Sequence, residues 1–199
     1  MCNKNYFLWG EIMKITVIFG SHRIGGTNHE IEKMMKTFTN IHDFYFIHLA
    51  KNKIEGCISC HQCGKAGRCV LPPSENDHFQ ETYDKMIDAD AIFIITPVYA
   101  GIPSRLTALF ERLTSVLFDT GIMNTDNNPL IGKKVAIFNY CSNKICDDSA
   151  IKLIFDKFVM KDYSFNESTY NYLNYCSNPN EKYSDICEYI RETIVSIRL

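Results

Sequence analysis

Short apolar runs alternate with amphipathic stretches along this chain of 199 residues. Turn residues bound each apolar run, and the stretch that follows carries apolar residues at helical spacing. Alternation of strand and helix is typical of a parallel sheet that helices cover on both faces, so an α/β domain is predicted. The predicted strands are residues 14–19, 44–49, 91–96, 134–140 and 165–173, and the predicted helices are residues 28–38, 77–88, 104–118, 149–159 and 182–197.

Five strands separated by helices favour a doubly wound sheet in the order 2-1-3-4-5. Ligands of such sheets bind beyond the carboxyl ends of strands 1 and 3, where the winding reverses. The fifth run is more polar than the others and alternates, as expected of an edge strand. Met13 directly precedes the first strand, so residues 1–12 are expected to be an appendage outside the fold and residues 13–199 one domain.

Charge and hydropathy exclude several classes of function. The net charge is −2, from 21 basic and 23 acidic residues, and no long run of one sign predicts binding to nucleic acid or to an anionic membrane. No apolar stretch approaches the ~20 residues of a membrane-spanning helix. The first twelve residues lack the pattern of a secretory signal. A cytoplasmic protein without nucleic-acid or membrane partners is expected.

The first predicted strand ends in a glycine-rich loop, GSHRIGGTN, at residues 20–28. Glycines let backbone N–H groups point at an anion, and a following helix adds about half a positive charge. Short polar side chains and one arginine supply further phosphate donors. The alternative is a turn that only begins the helix. The candidate phosphate contacts are Ser21, Arg23, Gly26, Thr27 and Asn28.

Three other phosphate-binding modules do not match this loop. A nucleotide-hydrolysing P-loop needs a lysine where Gly26 stands. A dinucleotide site needs a second glycine two residues after Gly20 and a carboxylate at the end of the second strand, which ends in HLA at residues 48–50. A phosphorelay receiver domain needs an acidic residue where Thr96-Pro97 stand. A cradle for a monophosphate remains, and it suits FMN.

The third predicted strand leads into a second loop, TPVYAGIPS, at residues 96–104. Two prolines and a glycine make it stiff and expose backbone N–H groups, so it can hold the edge and face of a flat ring, on which Tyr99 can stack. The alternative is a plain connection in which Ser104 caps the next helix. The candidate ring contacts are Thr96, Pro97, Val98, Tyr99 and Gly101.

Together, GSHRIGGTN, TPVYAGIPSRLTALFER and the Gly132-Lys133-Lys134 lead-in to the fourth strand resemble the flavodoxin-like NAD(P)H:FMN reductases. The resemblance implies a three-layer sandwich in which the first loop binds the FMN phosphate and the second contacts the isoalloxazine ring. It implies that residues 139–143, Cys141 among them, complete the flavin pocket. It also implies NAD(P)H as a donor and a homodimer or higher homo-oligomer whose partner subunit covers the flavin.

Four of the nine cysteines, Cys57, Cys60, Cys63 and Cys69, form the motif C-x2-C-x2-C-x5-C. In a chain without a secretory signal, such a cluster is typical of metal ligation or thiol chemistry. Its compactness fits a cubane cluster better than the separated knuckles of structural zinc, although zinc and redox-active thiols stay open. The loop follows strand two, so it is expected at the same carboxyl edge as the two FMN loops.

The cysteine motif, with CVLPP and Asp77 after it, resembles the iron–sulfur flavoproteins, a branch of the same family. The resemblance implies that the four cysteines ligate a [4Fe–4S] cluster near FMN. The predicted function is an FMN-dependent oxidoreductase that passes electrons between a donor, NAD(P)H or a ferredoxin-like protein, and an acceptor, without a catalytic side chain. The alternatives are a cluster-less NAD(P)H:quinone, azo-compound or FMN reductase and a non-enzymatic electron carrier.

Overall fold

The computed structural model describes residues 12–72, 77–97, 101–123, 125–131, 133–141, 175–176 and 183–197. The predicted helix at residues 149–159, the predicted strand at residues 165–173 and all but the last residue of the predicted appendage lie outside these ranges. The fold below is that of the described residues.

Four parallel strands form the sheet in the order β2-β1-β3-β4, which confirms the predicted order for these strands. Beyond β4, the two residues Tyr175–Cys176 pair with it in parallel, opposite Tyr140 and Cys141. A full fifth strand is therefore not established. The four strands are β1 (Lys14–Phe19), β2 (Asp43–His48), β3 (Ala91–Pro97) and β4 (Lys134–Cys141).

Five helices connect or flank these strands in the described ranges. The shortest has four residues and was not predicted, because one turn is too short to show a periodicity. The third begins two residues later than predicted, with Asp77 outside the helix accepting the backbone N–H of Phe79 at 3.3 Å. The helices are α1 (Thr27–Met35, continued by the 3-10 turn Lys36–Phe38), α2 (Cys63–Ala66), α3 (Phe79–Asp88), α4 (Ser104–Asp119) and α5 (Tyr183–Ser196).

The strand side chains alternate between two hydrophobic layers, one on each face of the sheet. Ile18 and Ile94 point into the layer that α3 and α4 cover, whereas Val17 and Phe93 point into the layer that α1 and α5 cover. Every residue of β3 is buried, as expected of a central strand covered on both faces. None of the helices in the described part of the chain is both long and apolar enough to cross a bilayer.

The direction of α4 matters for the site. Because β3 and β4 are parallel, α4 must run from the carboxyl end of β3 back toward the amino end of β4. Its first residue, Ser104, therefore lies near the carboxyl edge of the sheet, and its last residue, Asp119, lies toward the opposite edge. The two candidate sites lie against different parts of this helix.

Candidate functional site

The first loop leaves β1 at Gly20 and enters α1 at Thr27. The N–H of Gly20 donates to the carbonyl of Ile95 in β3 at 2.9 Å. A Cβ at Gly20 would lie 2.7 Å from Thr96 Oγ1, so no larger residue fits without displacing its neighbours. Gly26 has φ +67°, in the left-handed region that favours glycine. The loop thus turns sharply and lies directly against the start of the second loop.

Two polar side chains of the first loop maintain its shape. Ser21 is 5% exposed, and its hydroxyl accepts the N–H of Arg23 at 3.0 Å. Asn28 is 1% exposed, and its side-chain oxygen accepts the hydroxyl proton of Tyr140 in β4 at 3.0 Å. Arg23 is exposed and Thr27 is half-buried. The buried side chains of Ser21 and Asn28 therefore hold the loop in shape, and Arg23 lies on its surface.

The second loop starts at Thr96 and Pro97, the last residues of β3. Thr96 is fully buried, and its hydroxyl donates to the Pro97 carbonyl at 3.1 Å. Gly101 is exposed. Val98 and Tyr99 lie outside the described residues, so their predicted ring contacts stay predictions.

Ser104 does not cap α4, contrary to the alternative interpretation of this loop. Pro103 occupies the N-cap position, and Ser104 is the first helical residue. The Ser104 hydroxyl instead lies within hydrogen-bond distance, 3.4 Å, of Nε2 of His22 in the first loop. The serine therefore joins the two loops rather than capping the helix.

Among the described residues, the two loops border open space. A Cβ built on Gly25, Gly26 or Gly101 would meet no atom of that part of the chain within 4 Å. Cys141, the last residue of β4, reaches the same edge of the sheet. Glycine backbone beside an opening, at the start of a helix, is the arrangement that lets N–H groups approach an anion. The residues present therefore fit a cofactor that carries a phosphate.

The cysteine loop is tightly curled between β2 and α3. Ser59 and His61, which flank Cys60, have φ values of 52° and 53°, a region that non-glycine residues seldom adopt. A Cβ on Gly64 would lie 2.6 Å from the backbone oxygen of Asp119, the last residue of α4. His61 is exposed, and its Nδ1 lies 3.3 Å from the Asp119 carboxylate. The loop thus docks closely on the C-terminal end of α4.

All four cysteines of the motif line one cavity, together with Arg112 and Ser115 of α4. Cys63 is buried, and the other three are half-buried and form no disulfide. Polar partners surround the sulfurs. Cys57 Sγ lies 3.2 Å from the Ser115 hydroxyl, and Cys69 Sγ accepts an N–H of Arg112 at 3.0 Å. Sequence spacing predicted this convergence, and the structure brings the four residues together.

The sequence prediction did not assign a role to Arg112 in this site. Arg112 is 1% exposed and pairs with the Asp77 carboxylate at 2.5 Å. The signal was present in the helical spacing, because Arg112 lies three residues after Leu109 and four before Val116, both buried on the apolar face of α4. A cation on an apolar face needs a buried partner.

Electrostatics in the cavity follow from burial and from these contacts. Burial raises the pKa of the Cys63 thiol, and the neighbouring Cys69 thiol adds to that effect. Burial disfavours the charged form of Arg112, but the hydrogen bonds to Asp77 and Cys69 outweigh it, so the pKa of the guanidinium is raised. Arg112 is therefore a permanent cation beside the sulfurs.

The cysteine cavity offers sulfur donors for a metal group. Among the described residues, no three or more His, Cys, Asp or Glu side chains are arranged to hold a single metal ion. The four thiols nevertheless share one cavity, with an N–H donor and a hydroxyl beside them. Four cysteine sulfurs are the donors that iron–sulfur clusters use. The chemistry of the donor set therefore fits such a cluster.

The cysteine cavity is not at the carboxyl edge of the sheet, and that expectation is wrong. The loop leaves β2 at this edge but then follows α4 toward its C-terminal end. At 1.5 Å per residue, Arg112 and Asp119 lie roughly 12 Å and 22 Å along the helix from Ser104. The wall of the cavity that α4 forms therefore extends away from the two FMN loops.

Comparison with known proteins agrees with this architecture. The chain matches the family model described as NADPH-dependent FMN reductase over residues 13–154. Among curated proteins it is similar to the iron-sulfur flavoprotein of Methanosarcina thermophila, with 33% identity over 108 residues, which are 50% of this chain and 52% of that protein. The chain spans about half the length of the curated relatives it matches.

Among solved structures, an NAD(P)H:quinone oxidoreductase from Methanothermobacter marburgensis has a TM-score of 0.52 and 14% identity, covering 73% of this chain and 75% of that one. RosB with a bound intermediate has a TM-score of 0.61 and 12% identity, covering 92% and 76%. These likenesses show the fold, a parallel α/β sheet. The family model covers more than half of the residues, so the chain belongs to the NADPH-dependent FMN reductase family.

Proposed function

We propose that the protein is an FMN-dependent oxidoreductase that also holds a [4Fe–4S] cluster in its cysteine cavity. One observation carries the flavin part: two loops meet at the carboxyl edge, with Gly20 tight against Thr96, and glycines 25, 26 and 101 border open space. Membership of the NADPH-dependent FMN reductase family supports the same cofactor. The proposal keeps the predicted five-stranded order 2-1-3-4-5, which the pairing of residues 175–176 with β4 supports.

In this proposal the first loop binds the phosphate and the second loop orients the ring. Buried Ser21 and Asn28 hold the first loop in shape, so its glycine backbone and Arg23 are organised before the cofactor arrives. Such preorganisation reduces the entropic cost of binding. The proposed FMN contacts are Ser21, Arg23, Gly26, Thr27, Asn28, Thr96, Pro97, Val98, Tyr99, Gly101 and Cys141.

The cluster part rests on the cavity lined by Cys57, Cys60, Cys63 and Cys69 and on the likeness to proteins named iron-sulfur flavoproteins. When bound, FMN supplies hydride or one-electron transfer and a [4Fe–4S] cluster supplies one-electron transfer. The protein's own residues bind and orient these groups.

NAD(P)H or a ferredoxin-like protein is the proposed donor, and the acceptor is left open. A homodimer or higher homo-oligomer, with the partner subunit covering the flavin, is part of the proposal because the resemblance to the flavodoxin-like reductases implies it. A cytoplasmic location is proposed because clustered thiols stay reduced there.

The test is anaerobic purification, FMN titration by fluorescence quenching, and assay of iron and acid-labile sulfide. The expected result is one FMN per chain with iron and sulfide in the ratio of a [4Fe–4S] cluster. Cys60→Ser should lose most of the iron and keep FMN, whereas the control Cys2→Ser, outside the motif, should keep both.

A different result would contradict each part of the proposal. Absence of FMN uptake would refute the flavin site and with it the function. FMN without iron would leave the cluster-less NAD(P)H:quinone, azo-compound or FMN reductase. Both cofactors with negligible turnover of NADH and NADPH would leave the non-enzymatic electron carrier.

A further inference from the structure

A buried ion pair lies directly behind the cysteine cavity. Arg112 and Asp77 are 1% and 6% exposed, and an Nη of the arginine donates to Asp77 Oδ1 at 2.5 Å. The guanidinium also lies 4.2 Å from the centre of the Phe79 ring and 3.4 Å from the carbonyl of Glu55. Its second Nη donates to Cys69 Sγ at 3.0 Å. One cation thus joins α4, the segment before α3 and the last cysteine of the motif.

Such a pair is expensive for a protein to bury. Desolvation of both charges offsets most of their attraction, and an apolar pair of similar volume is often no less stable. Arg112 Nε has no hydrogen-bond partner among the described residues, which adds to the cost. The arginine therefore needs a reason other than stability, and its contact with Cys69 supplies one.

We infer that Arg112, held in place by Asp77, is a positioning residue that fixes Cys69 and raises the reduction potential of the cluster bound by the four cysteines. This inference rests on the proposed function, since it concerns the cluster of the same site. Binding of a cluster by four cysteines does not by itself require the ion pair, so the inference gives Arg112 and Asp77 a role beyond cofactor binding.

The physical reason is charge. One-electron reduction adds one negative charge to the group that the thiolates hold, and the electron comes from an external one-electron donor. No proton accompanies it at this position, because the guanidinium is protonated before and after. A fixed cation and an N–H···S hydrogen bond both favour the form with the added electron. Asp77 has the opposite sign, so it cancels part of this effect.

Substitution of the two members of the ion pair should therefore shift the reduction potential of the cluster in opposite directions. Removing the cation by Arg112→Gln lowers the potential, whereas removing the anion by Asp77→Asn, with the arginine retained, raises it. A merely loosened loop would change both variants in the same direction. The matched control is Arg105→Gln on the same helix, which loses hydrogen bonds of 2.7 Å and 2.8 Å to the carbonyls of Leu49 and Ala50 and, among the described residues, does not line the cysteine cavity.

The experiment is an anaerobic potentiometric titration with dithionite and mediators, with the cluster followed by visible absorbance and by electron paramagnetic resonance. Iron, sulfide and FMN content are measured on every sample. At a fixed solution potential, each variant of the pair should change the ratio of oxidised to reduced cluster at least tenfold. For a one-electron couple this corresponds to a shift of about 59 mV in the reduction potential. Arg105→Gln should leave the ratio as in the wild type.

Equal potentials in all four proteins, or shifts of the same sign in the two variants of the pair, would overturn the inference. If Arg112→Gln does not fold or does not retain iron, Asp77→Asn decides alone: an upward shift supports the inference, and an unchanged or lower potential overturns it. Wild-type protein without iron would overturn the cluster itself. Failure of the proposed function is thereby distinguished from failure of the inference alone.

Discussion

Gly20→Ala tests the close contact on which the proposed flavin site depends. The added Cβ would lie 2.7 Å from Thr96 Oγ1 and 3.0 Å from Leu106 Cδ2, whereas ordinary contacts begin at 3.4 Å. The first loop and β3 must therefore separate by about 0.7 Å at the closest point. Overpacking of this kind costs ~1–3 kcal/mol. Because both loops border the proposed FMN site, affinity for FMN should fall together with stability.

The assay is thermal denaturation followed by circular dichroism, paired with FMN titration by fluorescence quenching. In a domain of this size, a loss of 1–3 kcal/mol lowers Tm by roughly 2–12 °C. The matched control for stability is Gly25→Ala in the same loop, where the new methyl meets no atom of the described residues within 4 Å. Equal stability in the two variants would refute the reasoning.

A double-mutant cycle isolates the contact. Thr96→Ala removes the hydroxyl nearest to the new methyl, so Gly20→Ala should cost less in that background than in the wild type. Part of the cost should remain, because Leu106 Cδ2 is unchanged. Additive effects of the two substitutions would show that the strain lies elsewhere.

Two further predictions concern other parts of the fold. Gly64→Ala places a methyl 2.6 Å from the backbone oxygen of Asp119, so it should destabilise the protein by ~1–3 kcal/mol and lower iron content, measured by denaturation and iron assay. His42 is 6% exposed, accepts the N–H of Met13 at 3.2 Å, and has its pKa lowered chiefly by burial. Stability should therefore fall as the pH drops below about 6.5, the pKa of the unfolded chain, and His42→Gln should flatten this dependence.

The direction in which His42 changes stability with pH follows from the protons bound by the folded and unfolded states. Below pH 6.5 the unfolded chain binds a proton at this residue that the folded protein resists, so acid favours unfolding. Denaturation curves between pH 5 and 8 measure the slope, with the exposed His29→Gln as the control. A slope unchanged by His42→Gln would contradict the prediction. A Gly64→Ala protein as stable and as iron-rich as the wild type would contradict the docking of the cysteine loop on α4.

Much of the site was visible in the sequence because its signals are local. Glycines between a predicted strand and a predicted helix marked the first loop, and prolines after an apolar run marked the second. The spacing of four cysteines within thirteen residues predicted that they face a common centre, and they line one cavity. Each of these signals consists of residues that are close together in the sequence, so it can be recognised without the fold.

Other parts depend on residues far apart in the chain. The cap expected at Ser104 is replaced by a contact with His22, 82 positions away. The ion pair of Arg112 and Asp77 spans 35 positions, and neither residue indicates its partner. The cysteine cavity was expected at the carboxyl edge because its loop follows β2, and the sequence did not show that the loop would dock along α4.

The order of apolar and amphipathic segments by itself determined a parallel sheet, since burial of both sheet faces demands that alternation. That order also placed the loops after β1 and β3 at the carboxyl edge, and the spacing of the cysteines predicted that four thiols lie close together. Only the tertiary structure decided which side chains lie beside those thiols, namely Arg112 and its partner Asp77. Burial brought a cation and its carboxylate against one sulfur, and the strength of such contacts depends on distance and on exclusion of water, neither of which is written in the linear order of residues.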